Sequence, residues 1–216
     1  MAEVALAQDE EQAVALWRVM GRSVAMKIES PDITHKTELG GVRLALTDAS
    51  GVRAAYGELL ALARRAMPQA RLSGVLVQPM VPGRVELVVG VQRDPVFGMV
   101  VMVGIGGILV EVLKDVAMRL APFGIDEGLR MLAELRASAV LDGVRGQPAA
   151  DRRQIAMLLS RLSVWAAGMQ PLLAELDLNP VILTPAGPVA VDCVMVVDPL
   201  PAYATPLSAP PPTHAN

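Results

Sequence analysis

The sequence predicts an α+β fold of two lobes, and three observations carry that reading. Runs rich in β-branched residues come in adjacent pairs joined by short turns bearing glycine or proline, as in antiparallel hairpins. Helical patterns interrupt those runs irregularly, without the strand–helix–strand alternation of a parallel sheet. At 216 residues the chain can fill one large domain or two smaller lobes with ample core. That core must be aliphatic, since apolar residues make up 53% of the chain and aromatic residues only 3%. The net charge of −3, with arginines scattered and not interleaved with aromatics, gives no nucleic-acid footprint. A single cysteine, Cys193, excludes an internal disulfide framework. The first ten residues lack a basic segment and turn acidic, so no secretory signal is read. The longest uncharged run, 95–110, is broken by four glycines and falls short of a membrane span. A cytoplasmic location is expected.

Taken in order, residues 9–20 place Ala13, Leu16, Trp17 and Met20 at helical spacing and stop at Gly21. Residues 23–29 read as a buried strand, followed by a polar loop and a short strand at 42–46. Asp48 is the predicted N-cap of a helix reaching about residue 66, with Pro68 beyond it. Residues 74–80 and 85–92 read as strands joined in a hairpin by Val81-Pro82-Gly83-Arg84. Residues 100–103 and 108–113 are strand candidates on either side of Gly104-Ile105-Gly106-Gly107. Helices follow at 126–137 and 149–168, then strands near 173–183 and 189–196. From Asp198 onward six of nineteen residues are proline with no periodic apolar pattern, so 198–216 is predicted to be a disordered tail.

The densest chemistry lies in SPDITHKTELGGV, residues 30–42, which gathers His35, Lys36, two carboxylates and the pair Gly40-Gly41. Just upstream, Lys27 sits between Met26 and Ile28, where an ammonium must snorkel or find an anion. A strand lysine followed by a glycine-closed loop suits phosphate oxygens: backbone N–H groups face the anion and the lysine adds a point charge. By itself, His35 reads as an ordinary loop histidine.

Near the C-terminus, strand alternation sets Glu175, Asp177 and Asn179 on one face. A turn at 184–188 then folds Asp192 back beside Asn179. An amide oxygen and a carboxylate so placed suit Mg²⁺, which keeps waters and takes phosphate oxygens as its other ligands. A hairpin with satisfied polar residues accounts for the same pattern. The segment Val75-Leu76-Val77-Gln78-Pro79-Met80 suits an adenine hinge, while Glu86 is a carboxylate set inside a β run. The cluster at 104–107 matches neither the P-loop nor the dinucleotide-binding spacing. Glu111, Asp115 and Arg119 recur every four residues, as a helix face or as strand-edge polar groups, and are read as structural.

Five stretches in order resemble the ATP-grasp domain of the NDP-forming acyl-CoA synthetases, of the ADP-forming acetate–CoA ligase β-subunit type. They are SPDITHKTELGGV, QPMVPGRVELVVGVQRDPVFG, GIGGILVEVLKDVAMRLAP, LDGVRG, and ELDLNP followed by VD. A more distant similarity extends to succinyl-CoA synthetase β subunits. The resemblance implies an ATP-grasp fold over 1–195, with a first lobe at about 9–80 and a second at about 81–195 gripping ATP between antiparallel sheets. It implies that Lys27, with Lys36, Gly40 and Gly41, meets the nucleotide phosphates. Gln78, Pro79 and Met80 then lie beside adenine, and Glu86 near the ribose. Asn179 and Asp192 match magnesium ligands, His35 a histidine that relays a phosphoryl group, and Asp177 the acid that steadies it. ATP or ADP and Mg²⁺ are the implied cofactors. The implied partner is a CoA-binding α subunit carrying its own phosphohistidine, giving a hetero-oligomer without nucleic acid or membrane. Three features depart from the pattern: the first lobe looks clipped before residue 9, Cys193-Val194 stands where Ala-Arg is common after the aspartate, and the proline-rich tail has no counterpart. They motivate an alternative expectation, a non-catalytic nucleotide-binding module of an acyl-CoA synthetase-like regulator or acetyltransferase.

Overall fold

The computed structural model describes residues 3–33, 36, 39–83, 85–106, 114–143 and 148–198. The expected strand at 108–113 and the predicted tail beyond Asp198 lie outside them. Within the described residues the α+β reading holds, as two antiparallel sheets each backed by helices.

The first sheet contains β1 (Ala5–Ala7), β2 (Val24–Glu29), β3 (Val42–Leu46) and β4 (Gly74–Pro79), in the order β1-β4-β2-β3. Two helices, α1 (Glu10–Met20) and α2 (Ala49–Ala66), pack against it. Asp9 caps α1 by accepting from the Gln12 N–H at 2.8 Å, and Glu10 and Glu11 oppose the helix dipole. Gly21 ends α1 in the left-handed conformation (φ 62°), and its N–H donates to the Trp17 carbonyl. Asp48 caps α2 as expected, 2.8 Å from the Gly51 N–H. One face of β2 and β4, with Val24, Met26, Ile28, Val75 and Val77, joins Val14, Val52 and Leu59 of the helices in a single core. Period-two alternation therefore turns Ala25, Lys27, Leu76 and Gln78 to the opposite face.

The second sheet is larger: β5 (Glu86–Asp94), β6 (Gly98–Ile105), β7 (Val116–Leu120), β8 (Leu173–Thr184), β9 (Gly187–Ala190) and β10 (Val194–Val197). Its order is β10-β8-β5-β6-β7, with β9 also on β8. Helices α3 (Ile125–Glu134) and α4 (Arg152–Gly168), with a short 3-10 turn at Ser138–Asp142, cover one face. Leu87, Val89, Val91, Val101, Val103, Leu176 and Leu178 pack there against Met131, Leu132, Leu141, Ile155 and Leu159.

Two expectations need correction, one strand went unread, and one open alternative is decided. β1 carries no strong pattern of its own, yet it completes the first sheet by pairing with β4. The strands β4 and β5 do not pair as the expected hairpin. Both edges of β4 are occupied, by β1 and β2, so β5 cannot pair with it and joins the second sheet between β6 and β8. Gly83 makes this crossover possible: a Cβ there would lie 2.2 Å from the Ile182 side chain and 2.6 Å from the Leu183 carbonyl oxygen. Asp115 and Arg119 belong to strand geometry, Arg119 within β7 and Asp115 just ahead of it. The buried Asp115 carboxylate accepts from the Arg136 and Ala137 N–H groups beyond α3, and Arg119 pairs with Glu127 and Glu134, so both are structural. Finally, the single strand expected at 189–196 is two, β9 and β10, with Asp192 between them.

Candidate functional site

Lys27 extends from the face of β2 that points away from the first core, and its residue is only 6% exposed. Its ammonium donates to the Val191 carbonyl oxygen at 2.8 Å and lies 3.1 Å from Oδ2 of Asp192. A buried lysine thus reaches from the first sheet to the second, and a carboxylate meets it there. Burial pushes the Lys27 ammonium below its ordinary pKa, the Asp192 carboxylate opposes that shift, and the nearby Lys36 adds to it.

Lys36 lies on the same side of the cleft, 2.7 Å from Oε2 of Glu29. Lys27 and Glu29 share one face of β2 because they are two residues apart. The cleft end of the first sheet therefore carries two cations, each matched by one carboxylate. The loop returns to the sheet through Gly41, whose N–H donates to the Lys36 carbonyl at 2.7 Å and whose carbonyl accepts the Ile28 N–H at 3.0 Å. A Cβ on Gly41 would stand 2.9 Å from both the Ile28 Cδ1 and the Lys36 carbonyl oxygen, so only glycine fits without displacement. Gly40 precedes it at φ 72°. His35, the predicted relay residue, lies outside the described residues.

The second sheet meets Lys27 where its own ladder is interrupted. Val181 faces Ala190 and Asp177 faces Val194. The same register carried through the gap between β9 and β10 sets Asn179 opposite Asp192. On the other side of β8 the register with β5 steps between Leu87/Val181 and Val89/Leu178. Two residues, Asn179 and Pro180, therefore stand against Val88, as in a β-bulge. The step changes which residues of β8 are buried, from Leu176 and Leu178 before it to Val181 after it. Asp177 and Asn179 remain on the face away from the second core, where Gly90 lies opposite Asp177. Asp192 accepts from the Cys193 N–H at 2.9 Å through Oδ1. Burial pushes the Cys193 thiol above its ordinary pKa, and the charges of Asp192 and Asp177 push it the same way.

The predicted metal ligands fit Mg²⁺ by donor chemistry. Asp192 and Asn179 offer a carboxylate and an amide oxygen, hard donors of the kind that ion prefers. Among the described residues no group of three or more His, Cys, Asp or Glu is gathered around a cation position. The pair thus suits an ion whose remaining ligands are waters and phosphate oxygens.

Gln78 and Pro79 end β4, and Met80 follows. Gln78 shares the face of Lys27, since Ala25 faces Gln78 and Lys27 faces Leu76. The Met80 N–H is already used, donating to the Ser23 carbonyl at 2.9 Å, and Pro79 has none. A base docking here would meet carbonyl groups before it met a free N–H. Beside this segment a recess of about 340 Å³ lies between Pro79–Pro82 and the β8–β9 turn, Thr184–Ala186. Glu86 opens β5 with an exposed side chain, and its carbonyl accepts the Gly106 N–H. A larger open hollow of about 650 Å³ sits at the start of α3, behind the second sheet and away from Lys27.

The structure thus brings Lys27, Lys36 and Asp192 into one cluster and sets Asn179 beside it by register. Two members went unread in the sequence. Glu29 is one, although its spacing of two from Lys27 was the available signal. The Val191 carbonyl is the other, and backbone groups leave no mark in composition.

The family profile of the ATP-grasp domain matches residues 1–197. Among curated relatives, ADP-forming acetate–CoA ligase I of Archaeoglobus fulgidus is 41% identical over 197 residues, covering 91% of this chain and 28% of that protein. The β subunit of ADP-forming acetate–CoA ligase I of Pyrococcus furiosus is 37% identical over 195 residues, covering 90% of this chain and 84% of that subunit. The chain thus spans under a third of the first relative and most of the second. Dinucleotide-forming acetyl-coenzyme A synthetase 1 of Ca. Korarchaeum cryptofilum, solved with coenzyme A, Ca-AMPCP and HgCl⁺, superposes with a TM-score of 0.87 at 38% identity, covering 92% of this chain and 86% of that one. The same protein with Mg-AMPPCP, its phosphohistidine segment pointing towards the nucleotide-binding site, superposes at 0.76 with 35% identity, covering 92% and 85%. Fold, sequence and the extent of the match agree: this chain belongs to the ATP-grasp domain family.

Proposed function

We propose that the chain is the ATP-grasp subunit of an ADP-forming acyl-CoA synthetase of the acetate–CoA ligase type. It binds Mg-ATP or Mg-ADP between its two sheets and passes a phosphoryl group through His35 to and from a CoA-binding α partner. The observation that carries this reading is the meeting of Lys27 and Asp192 at 3.1 Å from opposite sheets. A cation suited to phosphate and an oxygen donor suited to Mg²⁺ converge on one point, and phosphoryl transfer asks mainly for positioning and charge neutralisation.

The residues divide the work as follows. Lys27 and Lys36 hold phosphate oxygens; Gln78, Pro79 and Met80 border the base, and Glu86 the ribose; Gly40 and Gly41 let the loop close over the phosphates. Asn179 and Asp192 hold Mg²⁺, which when bound neutralises charge on the phosphates. The lone pair of a neutral imidazole nitrogen of His35 forms the P–N bond as the bond to the β–γ bridging oxygen breaks. That electron pair leaves with ADP, and the role proposed for Asp177 is to steady the imidazole and its developing positive charge. The name of the P. furiosus relative, a β subunit, supports the need for an α partner. The K. cryptofilum structure with Mg-AMPPCP and a phosphohistidine segment supports a histidine relay near nucleotide.

The test is incubation of the full chain with Mg²⁺ and γ-labelled ATP, followed by acid-labile, base-stable label analysis and peptide mapping. Wild type acquires label on His35 and His35→Ala acquires none. Label that persists unchanged in His35→Ala removes His35 from the relay. Mg-ATP binding by calorimetry with no label in wild type, with or without a CoA-binding partner, favours the non-catalytic nucleotide-binding module instead.

A further inference from the structure

The loop that carries His35 is fastened on both sides by contacts within the first lobe: Asp32–Arg71 on one side, and Lys36 with Glu29 and Gly41 on the other. On the N-terminal side Asp32 accepts three hydrogen bonds from Arg71: its N–H at 2.7 Å, Nε at 3.0 Å and Nη2 at 2.7 Å. The Asp32 N–H donates to Ser30 Oγ at 3.1 Å, and Ile33 is 4% exposed in the first core. On the C-terminal side the Lys36 ammonium is held by Glu29 at 2.7 Å, and the Lys36 carbonyl is held by the Gly41 N–H at 2.7 Å. Lys36 is therefore pinned at both its backbone and its side chain, one residue after His35. Only Thr34 and His35 separate the two fastenings.

Glu29 is the fixed end of the second fastening. It is the last residue of β2, a strand paired on both edges, so its carboxylate is positioned by the sheet and not by the loop. The Lys36 side chain is 14% exposed, and an ammonium that poorly hydrated leans on the Glu29 carboxylate, its ion-pair partner among the described residues. Resting on the reading of His35 as phosphoryl acceptor, we propose that Glu29, acting through Lys36, is a positioning residue. It sets where the loop presents the imidazole to the γ-phosphorus, with the Asp32–Arg71 pair as the opposite support. In-line transfer is sensitive to placement, since a shift of about 1 Å at the reacting centre costs on the order of a hundredfold in rate. Affinity for nucleotide is spread over Lys27, Lys36, the 78–80 segment and Mg²⁺, so it is less sensitive than the transfer rate to the placement of any one of them.

The experiment compares the single-turnover rate of histidine labelling with the Kd for Mg-AMPPCP by calorimetry, using the full chain. Glu29→Gln is expected to slow labelling by roughly tenfold to a hundredfold, with the Kd within about threefold of wild type, and Glu29→Asp to recover part of the rate. Arg71→Ala acts at a side chain that is 76% exposed and outside the cleft, so it tests the opposite support without endangering the fold. It is expected to slow labelling to a lesser degree at unchanged Kd. A wild-type rate in both Glu29→Gln and Arg71→Ala overturns the proposal. So does a Kd that weakens in proportion to the rate, because Glu29 then serves the nucleotide and not the loop. Failure of the relay reading itself shows separately, as wild-type label that His35→Ala does not remove.

Discussion

Lys27 leaves the middle of β2, a strand paired on both edges, whereas Asp192 lies in the gap between β9 and β10, beside the bulge of β8. The two residues meet, but they are presented in opposite ways. In the first sheet the backbone is regular and the side chain is out of place, an ammonium among apolar neighbours. In the second sheet the side chains are ordinary for a surface face and the backbone is irregular. A regular strand fixes a long, costly side chain firmly enough to keep it buried. A broken ladder does the converse, releasing backbone groups such as the Val191 carbonyl and turning short side chains toward a shared ligand.

If the two sheets are separate units joined mainly at this site, deleting core volume in one should leave the other protected. Leu59 on α2 and Leu159 on α4 are both fully buried, each in its own core. Replacing either with alanine is expected to cost about 2–5 kcal/mol. Hydrogen exchange should then show Leu59→Ala releasing the amides of β2 and β4, with those of β5 and β6 retained, and Leu159→Ala the reverse. Equal release of both sheets in either variant would make the molecule one cooperative unit and dissolve the comparison.

The ion pair between the sheets gives a smaller and more asymmetric effect. Asp192→Ala leaves the Lys27 ammonium buried with, among the described residues, a carbonyl partner alone, and the expected loss is about 2 kcal/mol. This falls below the 3–5 typical of breaking a fully buried pair, because the Asp192 side chain is 28% exposed. Lys27→Met removes the charge that needed a partner and keeps the apolar stem, so it should be close to neutral in stability while weakening Mg-ATP binding severely. Chemical denaturation with calorimetry on both variants checks the contrast. A Lys27→Met loss as large as that of Asp192→Ala would mean that the pair itself stabilises the fold.

The same contrast explains what could be read from the sequence. Lys27 was legible because an ammonium inside a strand contradicts its neighbours, and α1 and α2 were legible because Asp9, Gly21 and Asp48 mark their ends. Asp177, Asn179 and Asp192 stood out by alternation and by a turn of recognisable composition. The crossover at 80–85 was misread because the residues of a hairpin turn also serve a chain that changes sheets. Only the occupation of both edges of β4 distinguishes the two, and that depends on β1, three residues without a pattern. Glu29 and Arg71 escaped for a related reason: their partners, Lys36 and Asp32, become neighbours only when the loop is folded.

The smallest expected effect concerns Asp32, and it probes the regular side of the comparison at its exposed edge. The guanidinium and N–H of Arg71 hold the Asp32 carboxyl down at about 2, against an ordinary value of 3.8. A carboxyl whose pKa is lowered by folding contributes stability that is fully present above the ordinary value and is lost as pH falls through the lowered one. The unfolded chain binds the proton first, so within this window the difference narrows with acid. Thermal midpoints of wild type and Asp32→Asn should therefore differ by a constant amount from about pH 5 upward, approach one another below about 4, and coincide only once the pH is well below 2. The gap itself should be small, because Arg71 is largely exposed and water screens the pair. A gap that stays constant through acid would show that the Asp32 contacts hold the loop by their geometry alone. A gap that closes would show that the charge of Asp32 fastens it.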